Sequence, residues 1–178
     1  METVHPGGCL CGELRLSAHG APLRVNACHC TFCQRMTGTA FHTGVTFARD
    51  AVRFEGTTPK VYEHVSDGSG HSVFIHSCPR CATNVALTLS RWPEVCAVLR
   101  GAFDDPDRFP PERHMYLRSA QRGTLLPAAT ECYAGFRVDL DGAPLPATTF
   151  DVPMVAGGRG RPPEPAAGTR GPGTSGQS

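Results

Sequence analysis

The sequence has little net charge and few aromatic residues. Its 178 residues include 17 Lys and Arg against 16 Asp and Glu, which gives a formal net charge of +1, and aromatic side chains make up 7%. Proteins whose main partner is a nucleic acid or an anionic membrane need clusters of basic residues, which this composition does not supply. We therefore expect neither nucleic acid nor a membrane as a partner.

The sequence also lacks long apolar runs and the common catalytic motifs. It has no stretch of about 18 apolar residues that could span a membrane as a helix. Residues 1–8 show no basic segment followed by an apolar one, as a secretory signal would. No phosphate-binding loop, dinucleotide-binding glycine motif or serine–histidine signature is present. These absences predict a cytoplasmic protein and direct attention to other residues for its chemistry.

Glycine and proline, in contrast, are abundant, with 20 and 16 residues. Their abundance favours a turn-rich β architecture over a helical bundle. Alternating or β-branched runs, bounded by turn sequences, predict a series of short strands. They are Glu13–Ser17, Leu23–Asn26, Ala40–Phe47, Val52–Glu55, Lys60–Val65, Ser72–Ser77, Asn84–Leu89, Val95–Arg100 and His114–Leu117. With Thr31–Met36 as a tight turn or single helical turn, we predict a mainly β domain with short turns and little helix.

Residues 155–178 differ in composition from the rest of the chain. They are rich in glycine and proline and contain almost no large apolar side chain. Burial of so few apolar groups cannot offset the conformational entropy lost on ordering. We therefore predict one β domain over residues 1–154, followed by a disordered tail.

Seven of the nine cysteines fall into three tight clusters. These are a first pair, a triplet and a last pair: Cys9 and Cys11; Cys28, Cys30 and Cys33; Cys78 and Cys81. In a reducing compartment, cysteines this close are more often metal ligands or redox groups than structural disulfides. Two pairs supply the four sulfurs of a closed tetrahedral zinc site, whereas a triplet leaves one coordination position open for a substrate or water.

The spacing leaves open which of these cysteines share an ion. The first and last pairs can form one closed site, which would tie distant strands together and contribute much of the folding free energy. The last pair can instead combine with two members of the triplet. The triplet can also be a structural site completed by Cys96, Cys132 or a histidine. Strand alternation turns His29, between two ligands, away from the ion.

The clusters and their surroundings resemble the glutathione-dependent formaldehyde-activating enzyme family, which includes centromere protein V. The resemblance rests on Gly8–Gly12, Cys28–Arg35, Thr37–Phe41 and Cys78–Cys81. The order of these segments, their internal spacing and the intervals between them all agree. The resemblance covers about residues 4–103 and thins after residue 114.

The resemblance implies an Mss4-like β fold stapled by zinc, with two zinc ions. It assigns a structural zinc to Cys9, Cys11, Cys78 and Cys81, and a second, open zinc to Cys28, Cys30 and Cys33. The implied activity is that of a carbon–sulfur lyase, which binds a glutathione-like thiol at the open zinc and forms or cleaves a thiol–aldehyde adduct such as S-(hydroxymethyl)glutathione. The expected partners are thus a small thiol and a small aldehyde. The alternative is a non-catalytic zinc-binding or scaffolding module that holds only the structural zinc. Either form is compatible with an oligomer.

Three residues bear on how well the family pattern transfers. After the cysteine that corresponds to Cys81, the family usually has glycine, because a left-handed turn there suits a residue without Cβ. This chain has Ala82 at that position. Alanine there is expected to cost about 1 kcal/mol, which zinc binding can offset. Arg35 and Arg49 are candidates to bind the carboxylates of a glutathione-like ligand, because guanidinium matches carboxylate as a bidentate fork. The alternative is that both are ordinary surface arginines.

Overall fold

The structure, a computed structural model that describes residues 3–168, is mainly β, with 40% strand and 11% helix. The predicted fold class is therefore confirmed. The strands are β1 (Val4–Gly8), β2 (Leu14–His19), β3 (Arg24–Cys28), β4 (His42–Ala48), β5 (Val52–Gly56), β6 (Lys60–Val65), β7 (Ser72–Ser77), β8 (Asn84–Leu89), β9 (Val95–Leu99), β10 (Arg113–Met115), β11 (Leu125–Leu126), β12 (Glu131–Cys132), β13 (Met154–Val155) and β14 (Glu164–Pro165). The α-helix is α1 (Thr31–Thr37). Within the described residues, no helix has the length and hydropathy needed to cross a membrane.

Each predicted strand corresponds to an observed one, and β6, β7 and β8 match end to end. The predicted helical turn extends to the seven residues of α1. The short strands β11 to β14 were not predicted, and neither was β1, because a proline and two glycines hide the strand character of β1. It pairs antiparallel with β2, and a Cβ on Gly7 would lie 2.4 Å from the carbonyl oxygen of Ala102. Glycine is therefore needed there for close backbone packing.

The described chain divides into two compact units. The first unit comprises residues 3–27 and 42–112, and the second comprises residues 28–41 and 113–168. The domain predicted over residues 1–154 therefore includes residues of both units.

The first unit is built from antiparallel strands around an apolar core. Strands β1, β2 and β5 form a three-stranded sheet, and β3, β4, β9, β8, β7 and β6 lie side by side in that order. Alternate residues of the strands face the core, such as Leu14 and Leu16 in β2 and Val45 and Phe47 in β4, all 2% exposed or less. Burial of each such side chain contributes about 1.5–3 kcal/mol, and this core positions the turns that carry two cysteine pairs.

The second unit contains α1 and short strands. Strand β10 pairs in parallel with β12, and β11, β13 and β14 form a small antiparallel sheet. Leu126 and Ala120 are completely buried in this unit. The helix begins at the residue that follows Cys30 and ends at a left-handed Gly38, whose amide donates to the carbonyl of Gln34. Such a glycine stops a helix because it adopts positive φ without steric cost.

The predicted tail begins inside strand β13. This strand pairs with β11 and β14, and Ala156 is 4% exposed. The structure therefore differs from the disorder predicted for residues 155–168, because backbone hydrogen bonds to distant strands offset an entropy cost that composition alone could not. The rest of the predicted tail, residues 169–178, lies outside the described residues.

Candidate metal centres

Four sulfur atoms converge in the first unit. The Sγ atoms of Cys9, Cys11, Cys78 and Cys81, hereafter the four-cysteine cluster, lie within 4.8 Å of one another. The Sγ of Cys11 is 3.5 Å from that of Cys9 and 3.7 Å from that of Cys78. Sulfurs held about 2.3 Å from a central zinc ion in a regular tetrahedron are about 3.8 Å apart. The spacing of these sulfurs therefore suits a zinc ion, and the first and last pairs meet here.

Two tight turns present the sulfurs of the four-cysteine cluster. Between β1 and β2, the amide of Gly12 donates to the carbonyl of Cys9, and Gly12 has φ 80. Between β7 and β8, the amide of Ala82 donates to the carbonyl of Cys78, and Ala82 has φ 58. The left-handed backbone that the sequence predicted at Ala82 is therefore confirmed. Both turns bring their two cysteines to the same side.

Hydrogen bonds from neighbouring residues stabilise the thiolate forms of Cys9 and Cys81. The backbone N–H of Leu14 donates to the Sγ of Cys9 at 3.3 Å. The hydroxyl of Thr83 accepts from the amide of Leu10 and lies 3.2 Å from the Sγ of Cys81, so it links the two turns. The hydrogen bonds from Thr83 lower the pKa of Cys81 to about 5. Deprotonated sulfur is the form that binds zinc.

Three sulfur atoms converge in the second unit. The Sγ atoms of Cys28, Cys30 and Cys33, hereafter the three-cysteine cluster, lie within 4.8 Å of one another, with 3.5 Å between the first two. Cys28 ends β3, and Cys30 caps the N-terminus of α1, where its Sγ accepts from the amide of Cys33. Among the described residues, no fourth ligand atom of a Cys, His, Asp or Glu completes this group.

The three-cysteine cluster concentrates negative charge. Hydrogen bonds from Cys28 and Cys33 lower the pKa of Cys30 to about 3. The same contact with Cys30 raises the pKa of Cys28, and the contact with Cys28 raises that of Cys33. Contact between the sulfurs therefore opposes deprotonation of all three, and a positive charge nearby would favour it. Zinc supplies such a charge, and thiolate is among its preferred ligands, so the donor set fits.

Comparison with known proteins identifies the family. A family model described as glutathione-dependent formaldehyde-activating enzyme (GFA) matches residues 4–119. The chain belongs to this family. A curated Halomonas elongata protein that carries the same family name is 28% identical over 138 residues, which cover 73% of this chain and 87% of the relative. A crystal structure of a Rhodobacter sphaeroides protein aligns with 58% of this chain and 93% of its own, at 17% identity and a TM-score of 0.46.

The GFA match includes both clusters, and the two remaining cysteines belong to neither. Cys96 and Cys132 are 2% and 3% exposed, and burial raises the pKa of each to about 11. Neither residue completes the three-cysteine cluster. None of the nine cysteines, all of which lie within residues 3–168, forms a disulfide.

His29 lies outside the three-cysteine cluster although it separates two of its members. Its side chain is completely buried, and its Nε2 is 2.9 Å from the Nδ1 of His114. Its backbone N–H donates to the carbonyl of Met115, and its carbonyl accepts from the Nε2 of Gln34. The Nε2 of Gln34 also donates to the carbonyl of Ser119. These bonds fix the loop that carries the cysteines to β10 and the turn after it.

Tyr116 is a candidate functional residue near the three-cysteine cluster, and sequence analysis did not indicate it. It follows β10 in a left-handed conformation (φ 62, ψ 42), and its ring is half-buried. Burial and then the negative charge of Cys28 and Cys30 raise the pKa of Tyr116 to about 12. Its hydroxyl therefore lies within the field of the three-cysteine cluster. No glycine or turn sequence marks this backbone position.

The two arginines selected from the sequence lie in different units. Arg35 is exposed in the last turn of α1, in the same unit as the three-cysteine cluster. Arg49 begins a short 3₁₀ helix after β4, in the first unit. Neither is brought into an ion pair within residues 3–168.

Substitution of Ala82 by glycine is expected to stabilise the zinc-loaded protein by about 0.5–1 kcal/mol. Glycine removes the strain of a Cβ at φ 58, although it also gains entropy in the unfolded chain. Denaturant unfolding of both proteins measures the difference. The reciprocal change, Gly12→Ala, introduces a Cβ at φ 80, where no other atom lies within 4 Å of it. It should therefore destabilise the protein by a similar amount through backbone strain alone. A loss of stability in Ala82→Gly would contradict this explanation.

Proposed function

We propose that this chain binds a small thiol such as glutathione at a zinc ion held by the three-cysteine cluster, and there forms or cleaves a thiol–aldehyde adduct such as S-(hydroxymethyl)glutathione. It would then act as a carbon–sulfur lyase. The observation that supports this is the difference between the clusters, since one offers four sulfurs and the other three, within the described residues. The family description names both glutathione and formaldehyde.

The four-cysteine cluster is assigned a structural zinc in this proposal. Four thiolates complete a tetrahedral shell and leave no position for a substrate. Cys9 and Cys78 belong to the apolar core of the first unit, although Cys11 is exposed, so an ion held here would support the packing of the fold. Thiolate ligands must stay reduced, so the proposal also places the protein in a reducing compartment such as the cytoplasm.

The three-cysteine cluster is assigned the thiol-binding role. A free thiol has a pKa of about 8.5 and is mostly protonated at neutral pH. When bound, a zinc ion supplies positive charge that stabilises the thiolate form of an added sulfur ligand. Cys28, Cys30 and Cys33 hold that charge in place, because β3 and the capped end of α1 fix their backbone. In the reaction, the thiolate sulfur forms a bond to the aldehyde carbon and the aldehyde oxygen takes up a proton.

The experiment is the rate of exchange between glutathione and its formaldehyde adduct. Exchange can be followed by NMR in a mixture of glutathione and formaldehyde, with increasing amounts of zinc-loaded protein. We expect the rate to rise in proportion to protein concentration. Bound glutathione with no change in exchange rate would contradict catalysis and leave a thiol-binding protein. Absence of glutathione binding would favour the non-catalytic scaffolding alternative.

A further inference from the structure

Arg118, in the second unit, is an exposed cation that forms no ion pair within residues 3–168. Its guanidinium carbon lies 5.9 Å from the centre of the Tyr116 ring. A Cβ on Gly135 would stand 3.8 Å from the same carbon and from Nη1, so the guanidinium lies against open backbone. The contacts with the ring and with the glycine give this cation a defined position.

The backbone around Arg118 is also fixed. Its N–H donates to the carbonyl of Ala134, and its carbonyl accepts from the amide of Gly160. Tyr116, two residues earlier, donates its N–H to the carbonyl of Gly135 and accepts from the amide and the hydroxyl of Ser119. These bonds maintain the left-handed conformation of Tyr116. Non-glycine residues in such conformations persist where surrounding structure holds them, and they cluster at ligand sites.

Tyr116 connects the cation to the three-cysteine cluster. The backbone N–H of His29, the residue between Cys28 and Cys30, donates to the carbonyl of Met115, which precedes Tyr116. The side-chain amide of Gln34, in α1, donates to the carbonyl of Ser119, so the turn of residues 116–119 that carries Arg118 lies against the segment that holds the cluster. A ligand sulfur at the cluster would bring the rest of the ligand into the neighbourhood of the same residues.

The charge of the proposed site requires a cation of this kind. Three thiolates and one divalent zinc ion sum to a net charge of −1, and a fourth thiolate makes it −2. A ligand that also carries carboxylates is repelled by this charge unless a positive group faces it. Guanidinium binds carboxylate through two parallel hydrogen bonds. Among the residues that the structure describes, Arg118 offers this fork without an acidic partner that would have to be displaced.

We propose that Arg118 binds a carboxylate of the thiol ligand, so that the site selects carboxylate-bearing thiols over neutral ones. This inference rests on the proposed function, because it needs a thiol at the three-cysteine cluster. Arg35 is the rival residue, since it is exposed on α1 in the same unit. Arg118 is distinguished from it by the contacts with Tyr116 and Gly135.

The first test compares glutathione with its diethyl ester, in which both carboxylates are neutralised and the thiol is retained. Calorimetric titration of the zinc-loaded protein should show glutathione binding about threefold to tenfold more tightly, as for a partly exposed charge pair. This preference should shrink at high ionic strength. Equal affinities would overturn the inference and leave the proposed function intact. Binding of neither thiol would overturn both.

The second test is Arg118→Met, with Arg122→Met as the matched control for loss of an exposed arginine from the same unit. Arg118→Met should lower the affinity for glutathione by the same threefold to tenfold, and should leave the affinity for the diethyl ester within about twofold of the wild-type value. Arg122→Met should change neither affinity. Zinc content and thermal unfolding show whether each variant is folded and zinc-loaded. If Arg118→Met does not fold, the comparison of glutathione with its diethyl ester in the wild-type protein decides the inference. Loss of the preference in Arg35→Met and not in Arg118→Met would overturn the inference.

Discussion

Substitution of Cys78 by alanine is expected to unfold the first unit. Cys78 is 1% exposed, and its cluster joins turns whose cysteines are 67 residues apart in sequence. Structural zinc binding in small domains contributes about 10–16 kcal/mol, which is similar to or larger than the whole stability of a typical domain, about 5–15 kcal/mol. Loss of one ligand should therefore cost at least about 4 kcal/mol. Circular dichroism on heating and elemental analysis for zinc measure both consequences.

Cys96→Ala is the matched control for that substitution. Cys96 is buried in the same core and belongs to neither cluster. Its replacement removes one sulfur atom from packing and should cost only about 1 kcal/mol, with no change in zinc content. If Cys78→Ala retained the zinc content of the wild type and lost no more stability than Cys96→Ala, the structural role of the four-cysteine cluster would be wrong.

Replacement of Cys30 by serine is expected to lower zinc content from two ions to one and to abolish glutathione binding while the fold persists. Two remaining thiolates are too few to hold the ion against water. The fold survives because residue 30 caps α1, and a serine hydroxyl accepts from the amide of residue 33 as the thiol does. The change of the cap itself should alter stability by less than about 1 kcal/mol, apart from the stabilisation lost with the second zinc ion. Elemental analysis, calorimetric titration with glutathione and thermal unfolding provide the three readouts.

Cys132→Ser controls for the loss of a thiol from the second unit. Cys132 is buried in β12 and lies outside the three-cysteine cluster. This variant should keep both zinc ions and its affinity for glutathione, even if a buried hydroxyl lowers its stability. Retained glutathione affinity in Cys30→Ser, measured beside this control, would argue strongly against thiol binding at the three-cysteine cluster.

Local features were predicted well from the sequence because their causes are local. Strands β6 to β8 have β-branched or apolar residues between clear turn sequences, so their boundaries are determined by neighbouring residues. The left-handed turn at Ala82 was expected from the family resemblance, because the family usually has glycine at this position. The cysteine clusters were likewise visible in the spacing, although the partner of each pair was open until the structure brought Cys9 and Cys11 next to Cys78 and Cys81.

Features that depend on distant residues could not be predicted. The contact between His29 and His114 joins residues 85 positions apart. Gly135 matters because the Arg118 guanidinium lies beside it, a contact that no sequence pattern indicates. Strand β13 forms by pairing with β11, although the surrounding composition is typical of disorder. In each case a favourable contact across the fold outweighs the local signal.

The most direct test of the two-zinc assignment is metal stoichiometry of the wild-type protein, measured by elemental analysis with and without glutathione. We predict two zinc ions per chain, one at the four-cysteine cluster and one at the three-cysteine cluster. One zinc ion, unchanged when glutathione is added, would contradict the open site and favour the scaffolding alternative. A metal-free protein that remains folded would contradict both assignments.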